Sequence, residues 1–329
     1  MKINLRPVLI LSFLVVLLVA IGGGIFYWKN LRGIGPAIWG PTGDIVEELG
    51  TPGPAVNGTS FPLKLPDGFS IEIFAKDLPG ARVMEFDSFG NMWVSQTSQG
   101  VISLIYVQDG KAKEHGQILK NLKNPHGLVF DPEFKTLLYY AEENKVSTLP
   151  TYSDGGPQKL LDLPSGGGHF TRTLGIGPDK KLYVSIGSSC NVCNEADERR
   201  AKIFVANRDG SNFKEYARGL RNSVFFTWNK DSGDMWATEM GRDLLGDDTP
   251  PDEINIIKEG GNYGWPNCYG KNIHDDKFDK NTYIRNPCME PFEIPPHVDL
   301  QAHSAPLGLA FAPDSWPSEY NDDLIVAFH

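Results

Sequence analysis

The chain has 329 residues, 35 of them Gly and 24 Pro, with 11% aromatic residues and a formal net charge of −10. It is too apolar for a disordered segment and too acidic for nucleic acid to be its main partner, because binding phosphates needs a basic surface. The length admits one large domain or two ordinary ones.

Residues 1–7 carry Lys2 and Arg6 and precede an uncharged apolar run over 8–28, VLILSFLVVLLVAIGGGIFYW. About 20 such residues cross roughly 30 Å of hydrocarbon as a helix. Tyr27 and Trp28 fall where an interfacial belt belongs, and Lys29 and Arg32 follow them. The run is predicted to be a transmembrane anchor or an uncleaved signal, since no clear small-residue cleavage site follows, with a cleavable signal peptide as the rival. Either way residues 1–7 stay cytoplasmic and the body of the protein is extracytoplasmic, periplasmic or at the cell surface. Residues 29–64 are rich in Gly and Pro, show no sustained period, and read as a linker.

Over 65–329 one unit recurs: an apolar strand, a turn, then a second strand ending in small polar residues. Its copies begin at 83–86, 127–132, 174–178, 223–226 and 308–313. The last apolar residue of each first strand falls at 86, 130, 176, 226 and 311, giving steps of 44, 46, 50 and 85. Periods of about 40–50 residues with several strands per unit are the signature of β-propeller blades. An all-β, six-bladed propeller is therefore predicted over 65–329, with the excess of the last step taken up by an insertion near 263–288. The sequence stops at Phe328-His329, directly after a strand. The ring is accordingly expected to be C-terminally incomplete, as a fragment in preference to one closed by a strand near 69–73.

The four cysteines suit an oxidising compartment. Cys190–Cys193 with Cys268–Cys288 is the simplest pairing, other pairings and a four-cysteine zinc site being the rivals. No His follows Cys193, which excludes covalent haem attachment.

The chemistry-bearing residues come at blade-like intervals. His169 follows Gly166-Gly167-Gly168, where the backbone lets a ligand approach closely, and is a candidate general base. Arg221-Asn222 place a cation and an amide before the fourth first strand. Gly241 follows Thr238-Glu239-Met240, and Asp252-Glu253 lead on to Tyr263. Strand ends at one rim of a propeller converge on its channel, so these residues can share a pocket. Trp93, Trp236 and Trp265 read as packing between blades.

The combination of GGHFTRTLGIGPDKKLYVSIG, RGLRN, DEINIIKEGGNYGWP and HSAPLGLAF resembles the soluble glucose and sorbosone dehydrogenase family over about residues 65–329. CNVC and the paired-cysteine loop are similar to its sorbosone-dehydrogenase-like branch. The resemblance implies a six-bladed propeller that uses pyrroloquinoline quinone (PQQ) and calcium to oxidise aldoses outside the cytoplasm. It implies His169 as the base toward the C1 hydroxyl. Arg221 and Asn222 would contact the cofactor, with Arg221 stabilising negative charge on the quinone oxygen. The backbone carbonyls of Gly241 and Arg242 would hold the cofactor calcium. Glu253 and the Tyr263 carbonyl would hold a second, structural calcium, and His303 would line the cofactor pocket. A sugar substrate and a respiratory quinone or cytochrome are the implied partners, together with the membrane.

The chain departs from the glucose-specific branch in two places. Gly168 stands where that branch often has an acid, and Arg242 where it has proline. The cations that grip the quinone carboxylates are expected from a last blade beyond His329. A calcium-dependent lactonase-type propeller hydrolase and a non-catalytic binding propeller are the alternatives.

Overall fold

The computed structural model describes residues 53–291 and 293–329. The apolar run 8–28 and most of the linker lie outside these residues. Among the described residues no helix is long and apolar enough to cross a membrane. The chain divides into two compact units after Ile73. In the described part of the first, β1 (Val56–Asn57) pairs in parallel with β2 (Ser70–Ile71).

The second unit is a propeller built of antiparallel meanders. The first blade is β3 (Ala81–Phe86), β4 (Met92–Gln96), β5 (Val101–Gln108) and β6 (Lys111–Leu119), hydrogen-bonded in that order. The second is β7 (Leu128–Phe130), β8 (Leu137–Glu142), β9 (Lys145–Pro150) and β10 (Gln158–Asp162). The third is β11 (Leu174–Ile176), β12 (Leu182–Ile186), β13 (Lys202–Ala206) and β14 (Lys214–Arg218), to which β18 (Gly261–Asn262) adds in parallel. The fourth is β15 (Phe226–Trp228), β16 (Met235–Glu239) and β17 (Glu253–Ile257), with β21 (Val298–Asp299) as outer strand. The hairpin of β19 (Cys268–Tyr269) and β20 (Ile273–His274) occupies the insertion. Last comes a two-stranded sheet of β22 (Pro306–Phe311) and β23 (Leu324–Phe328).

The described residues thus build four complete blades and one hairpin sheet rather than six full blades. All five sequence copies fall on the first two strands of a sheet. Each of the first four copies turns on an Asx side chain. Asp87, Asp131, Asp179 and Asn229 each accept a hydrogen bond from a backbone N–H two or more residues on. Cys190–Cys193 and Cys268–Cys288 are both disulfides, so no sulfur is left as a thiolate for zinc.

Burial explains why the inner strands read as unbroken apolar runs. In β8, Leu138 and Tyr140 pack toward the first blade while Tyr139 and Ala141 pack toward the third. In β12, Leu182, Val184 and Ile186 face the second blade and Tyr183 the fourth. A strand covered on both faces needs no polar alternation. Trp93 is buried between the first two blades and donates its indole N–H to Asp87. Trp236 meets Phe311 of β22 edge to face.

Ile203 of β13 is fully buried in the cluster between the third and fourth blades, whereas Ile325 of β23 is 42% exposed. Ile203→Ala should cost about 2–5 kcal/mol of unfolding free energy, read from denaturant melts. Ile325→Ala should cost clearly less; equal losses would contradict the inter-blade core.

Candidate active site at the rim of the third and fourth blades

Five segments meet at one edge of the third and fourth blades: the loop before β11, the end of β12, the approach to β15, the end of β16 and the start of β17. The loop before β11 brings in His169. Gly166 and Gly167 adopt φ of +84° and +89°, a left-handed backbone that side chains disfavour. Two guanidinium groups hold the loop from below. Arg172, fully buried, donates from Nη1 to the carbonyls of His169 and Thr171, and from Nη2 to that of Pro164. Arg200 donates to the Gly166 and His169 carbonyls.

The imidazole is then fixed by the end of β12. His169 Nδ1 lies 3.0 Å from the Ser188 carbonyl and 2.8 Å from its hydroxyl, which itself donates to the Cys190 carbonyl. A main-chain carbonyl only accepts, so Nδ1 carries the hydrogen and Nε2 keeps the lone pair. Nε2 has no partner among the described residues. Burial pushes the imidazole pKa down to about 4, the nearby charge of Arg221 adding to the shift, so the ring is neutral at physiological pH. Gly187, between β12 and Ser188, has no room for a side chain. A Cβ there would lie 2.7 Å from the His169 Cβ and 2.9 Å from the Asn222 Oδ1.

His169 and Asn222 line an open cavity of about 250 Å³, with Arg82, Thr171, Phe170, Val224, Met240 and Leu307 among its walls. Asn222 is held by its backbone N–H, which donates to Glu239 Oε1 at 2.7 Å. Arg221 does not reach this cavity as a ligand contact. Its Nε donates to the Asn191 carbonyl, Nη1 to the Gly241 and Met240 carbonyls, and Nη2 to Asn191 Oδ1 and Asp243 Oδ2. With those five hydrogen bonds every N–H of the guanidinium is satisfied by the protein. Arg221 therefore acts as a charge behind the wall. His303 also stands apart: its Nε2 donates to the Gly246 carbonyl at 2.9 Å, and it does not line the cavity.

Behind Arg221 lies a small space of about 20 Å³ bordered by Glu239, Glu253, Gly241, Arg242, Tyr263 and Asp275, among others. Glu239 and Glu253 are 5% exposed. Glu253 accepts from Asn255 and from the Gly270 N–H, whereas Glu239 Oε2 and both oxygens of the nearby Glu293 have no partner among the described residues. Burial raises all three carboxyls: Glu239 well above its usual range, Glu253 to about 7 and Glu293 to about 9. Buried acids without partners are costly, and a hard cation coordinated by oxygen relieves that cost. The Tyr263 ring points elsewhere, its hydroxyl donating to the Ile256 carbonyl, which leaves only backbone atoms of Tyr263 for a cation. The side chain of Arg242 is paired with Asp275. The Gly241 carbonyl already accepts from Arg221, so a cation there would share that oxygen.

Sequence reading missed Ser188, Asn191, Asp243 and Glu239. Ser188 and Asn191 act in part through main-chain oxygens, which residue identity does not announce. Glu239 stood inside a quoted segment, and an acid at the end of a buried strand was the available signal.

A family model described as TrAA12-like matches residues 63–329. The PQQ-dependent sugar dehydrogenase of Hypocrea jecorina is 24% identical over 300 residues, covering 74% of this chain and 69% of that protein. Quinoprotein glucose dehydrogenase B of Acinetobacter calcoaceticus is 25% identical over 256 residues, covering 62% of this chain; the match spans only about half, 54%, of that protein. In fold, the chain is similar to the holo PQQ domain of pyranose dehydrogenase from Coprinopsis cinerea. That likeness has a TM-score of 0.68 at 18% identity and covers 83% of this chain and 78% of that one.

The His169 geometry is open to a direct test by imidazole NMR. His169 should titrate near pH 4 as the Nδ1–H form, and Arg221→Gln, which removes a neighbouring cation, should move that pKa upward. Titration at the ordinary value near 6.5 would contradict the buried, cation-flanked ring.

Proposed function

Since this chain belongs to the TrAA12-like family, we propose that it is a PQQ- and calcium-dependent dehydrogenase that oxidises an aldose or related sugar at C1. The observation that carries this reading is the imidazole of His169: neutral, oriented through Nδ1 and unpartnered at Nε2, on the wall of an open cavity. A flat cofactor suits that cavity, whose walls combine apolar Phe170, Val224, Met240 and Leu307 with the amide of Asn222. PQQ, when bound, supplies a carbonyl that accepts hydride.

The chain's own residues then divide the work. His169 Nε2 takes the proton of the C1 hydroxyl as the hydride leaves C1. The Ser188 carbonyl holds the ring through that transfer, since the Nδ1–H gains acidity as Nε2 is protonated. Asn222 orients the cofactor. Arg221 fixes the Gly241 carbonyl and adds to the effect of burial in keeping the imidazole uncharged before reaction. Calcium at the cofactor would be held by the Gly241 and Arg242 carbonyls and would act as a Lewis acid. A second, structural calcium would be held by Glu253, with the Tyr263 carbonyl, and would quench the charge of the buried acids.

The same reading includes the sorbosone-dehydrogenase-like branch, supported by the bridged CNVC loop against Arg221, and closure of the ring to six blades. It also includes an anchor at 8–28 that holds the enzyme on the extracytoplasmic side, near a respiratory quinone or cytochrome. The lactonase reading is less well served. Such hydrolases bind a catalytic metal through side-chain carboxylates in the channel, and no Asp or Glu side chain lines the His169 cavity.

Protein supplied with calcium and PQQ should reduce an artificial dye when given aldoses. His169→Ala should lower kcat by about 10²–10⁴-fold; near-normal turnover in that variant would remove the mechanism. The acid limb of kcat/KM should fall near pH 4, because only the neutral ring can accept the proton. Calcium should raise the melting temperature, by the equivalent of about 2.7 kcal/mol at a hundredfold excess over Kd. Glu253→Gln should reduce that rise, leaving the share due to the calcium on the Gly241 and Arg242 carbonyls, and an undiminished rise would rule out the buried acid as a ligand.

A further inference from the structure

The loop over 187–201, between β12 and β13, is pinched by the Cys190–Cys193 bridge, which turns Asn191 onto the rim. The Asn191 carbonyl accepts from Arg221 Nε at 2.8 Å and from the Trp265 indole at 3.3 Å. Its Oδ1 accepts from Arg221 Nη2 and from the Asp243 N–H, both at 2.8 Å, and its Nδ2 donates to the Asp243 carbonyl at 3.0 Å. Two of the five hydrogen bonds on Arg221 therefore end on Asn191. A third ends on Asp243, which Asn191 itself holds in place. The Asp243 side chain is 64% exposed, and an ion pair at such a surface fixes little by itself.

Arg221 bears on His169 through its charge. The imidazole is flanked by Arg221 and Asp243, by Arg200 and Arg172 under its loop, and by Arg82 across the cavity. After burial, Arg221 does most to lower the imidazole pKa; Asp243 opposes it and counts for less. Of these charged groups Asn191 holds only Arg221 and Asp243. The orientation of the ring is secured separately. The Ser188 N–H donates to the Arg221 carbonyl, and Ser189 donates from its N–H and its hydroxyl to Glu195, both at 2.6 Å. The Ser188 carbonyl that faces Nδ1 is thus anchored independently of Asn191.

We infer that Asn191 is a positioning residue for the His169 base, acting through the Arg221 guanidinium, and that the Cys190–Cys193 bridge holds it in register. The name of base rests on the dehydrogenase reading; the placement of the charge does not. Cys190 and Cys193 are half-buried, and Cys193 borders an open cavity of about 300 Å³, whereas Cys268 and Cys288 are 6% and 0% exposed. A bridge across three positions also gains less from loop closure than one across 20. A dithiol therefore opens the first bridge in preference to the second.

Imidazole NMR on the calcium-loaded full chain, without quinone, decides it. Asn191→Ala should move the His169 pKa upward from about 4 while Nδ1 keeps its hydrogen. In the Arg221→Gln background the same substitution should add nothing, because a residue acting through another has no further effect once that other is gone. Dithiothreitol should reproduce the upward shift: it is oxidised to its cyclic disulfide as Cys190 and Cys193 become thiols, and mass spectrometry after alkylation counts them. Where the bridge resists the reductant, a double variant, Cys190→Ser with Cys193→Ser, takes its place. An unmoved pKa in Asn191→Ala, or an equal rise in both backgrounds, would overturn the role of Asn191. An open bridge with the pKa unmoved would overturn the role of the bridge. If Asn191→Ala does not fold, the reductant applied to the parent and to Arg221→Gln makes the same comparison. Failure to reduce a dye with PQQ and aldose removes the dehydrogenase reading without touching these shifts.

Discussion

One main-chain oxygen governs the chemistry of this rim: the Ser188 carbonyl that faces Nδ1 of His169. Because it can only accept, it dictates where the imidazole proton resides and therefore which nitrogen is basic. Its own position is not free. The Ser188 N–H donates to the Arg221 carbonyl, tying the end of β12 to the segment that carries Arg221 and Asn222. The loop bearing His169 is held from beneath by Arg172 and Arg200. Preorganisation here is a matter of backbone acceptors saturated by buried cations, with little left to side-chain rotation.

Charge is sorted across the wall formed by Asn222 and Met240. On one side lies a cavity with no acidic side chain; on the other, the buried Glu239, Glu253 and Asp275 share a small space with the fully bonded Arg221. The two sides communicate through Glu239. One of its oxygens accepts the Asn222 N–H while the other has no partner. A cation drawn to the free oxygen would therefore bear on the same carboxylate that holds the amide of the cavity. Asn191 plays the corresponding part for Arg221, binding it through both its carbonyl and its side-chain oxygen from within the bridged loop.

The inner blades were legible because they are buried on both faces. Leu182 to Ile186 sits between two neighbouring blades, and its composition says so. Outer strands were not: β6 is mostly exposed and polar, and β18 and β21 are two residues long, too short to impose a period. His169 stood out in the sequence through the three glycines before it. The place of Arg221 behind the wall was not legible, since a residue type does not reveal where five N–H groups are spent. His303 likewise sits at a rim-like place in sequence, but its φ of +59° and its bond to Gly246 turn it to the surface.

The bare backbone at Gly187 sets the gap between the imidazole and the Asn222 amide, since even a methyl group there would collide with both. Attempts to broaden what this enzyme accepts should accordingly spare that position. Phe170, on the cavity wall and 38% exposed, is where shape can be altered without displacing the His169 imidazole.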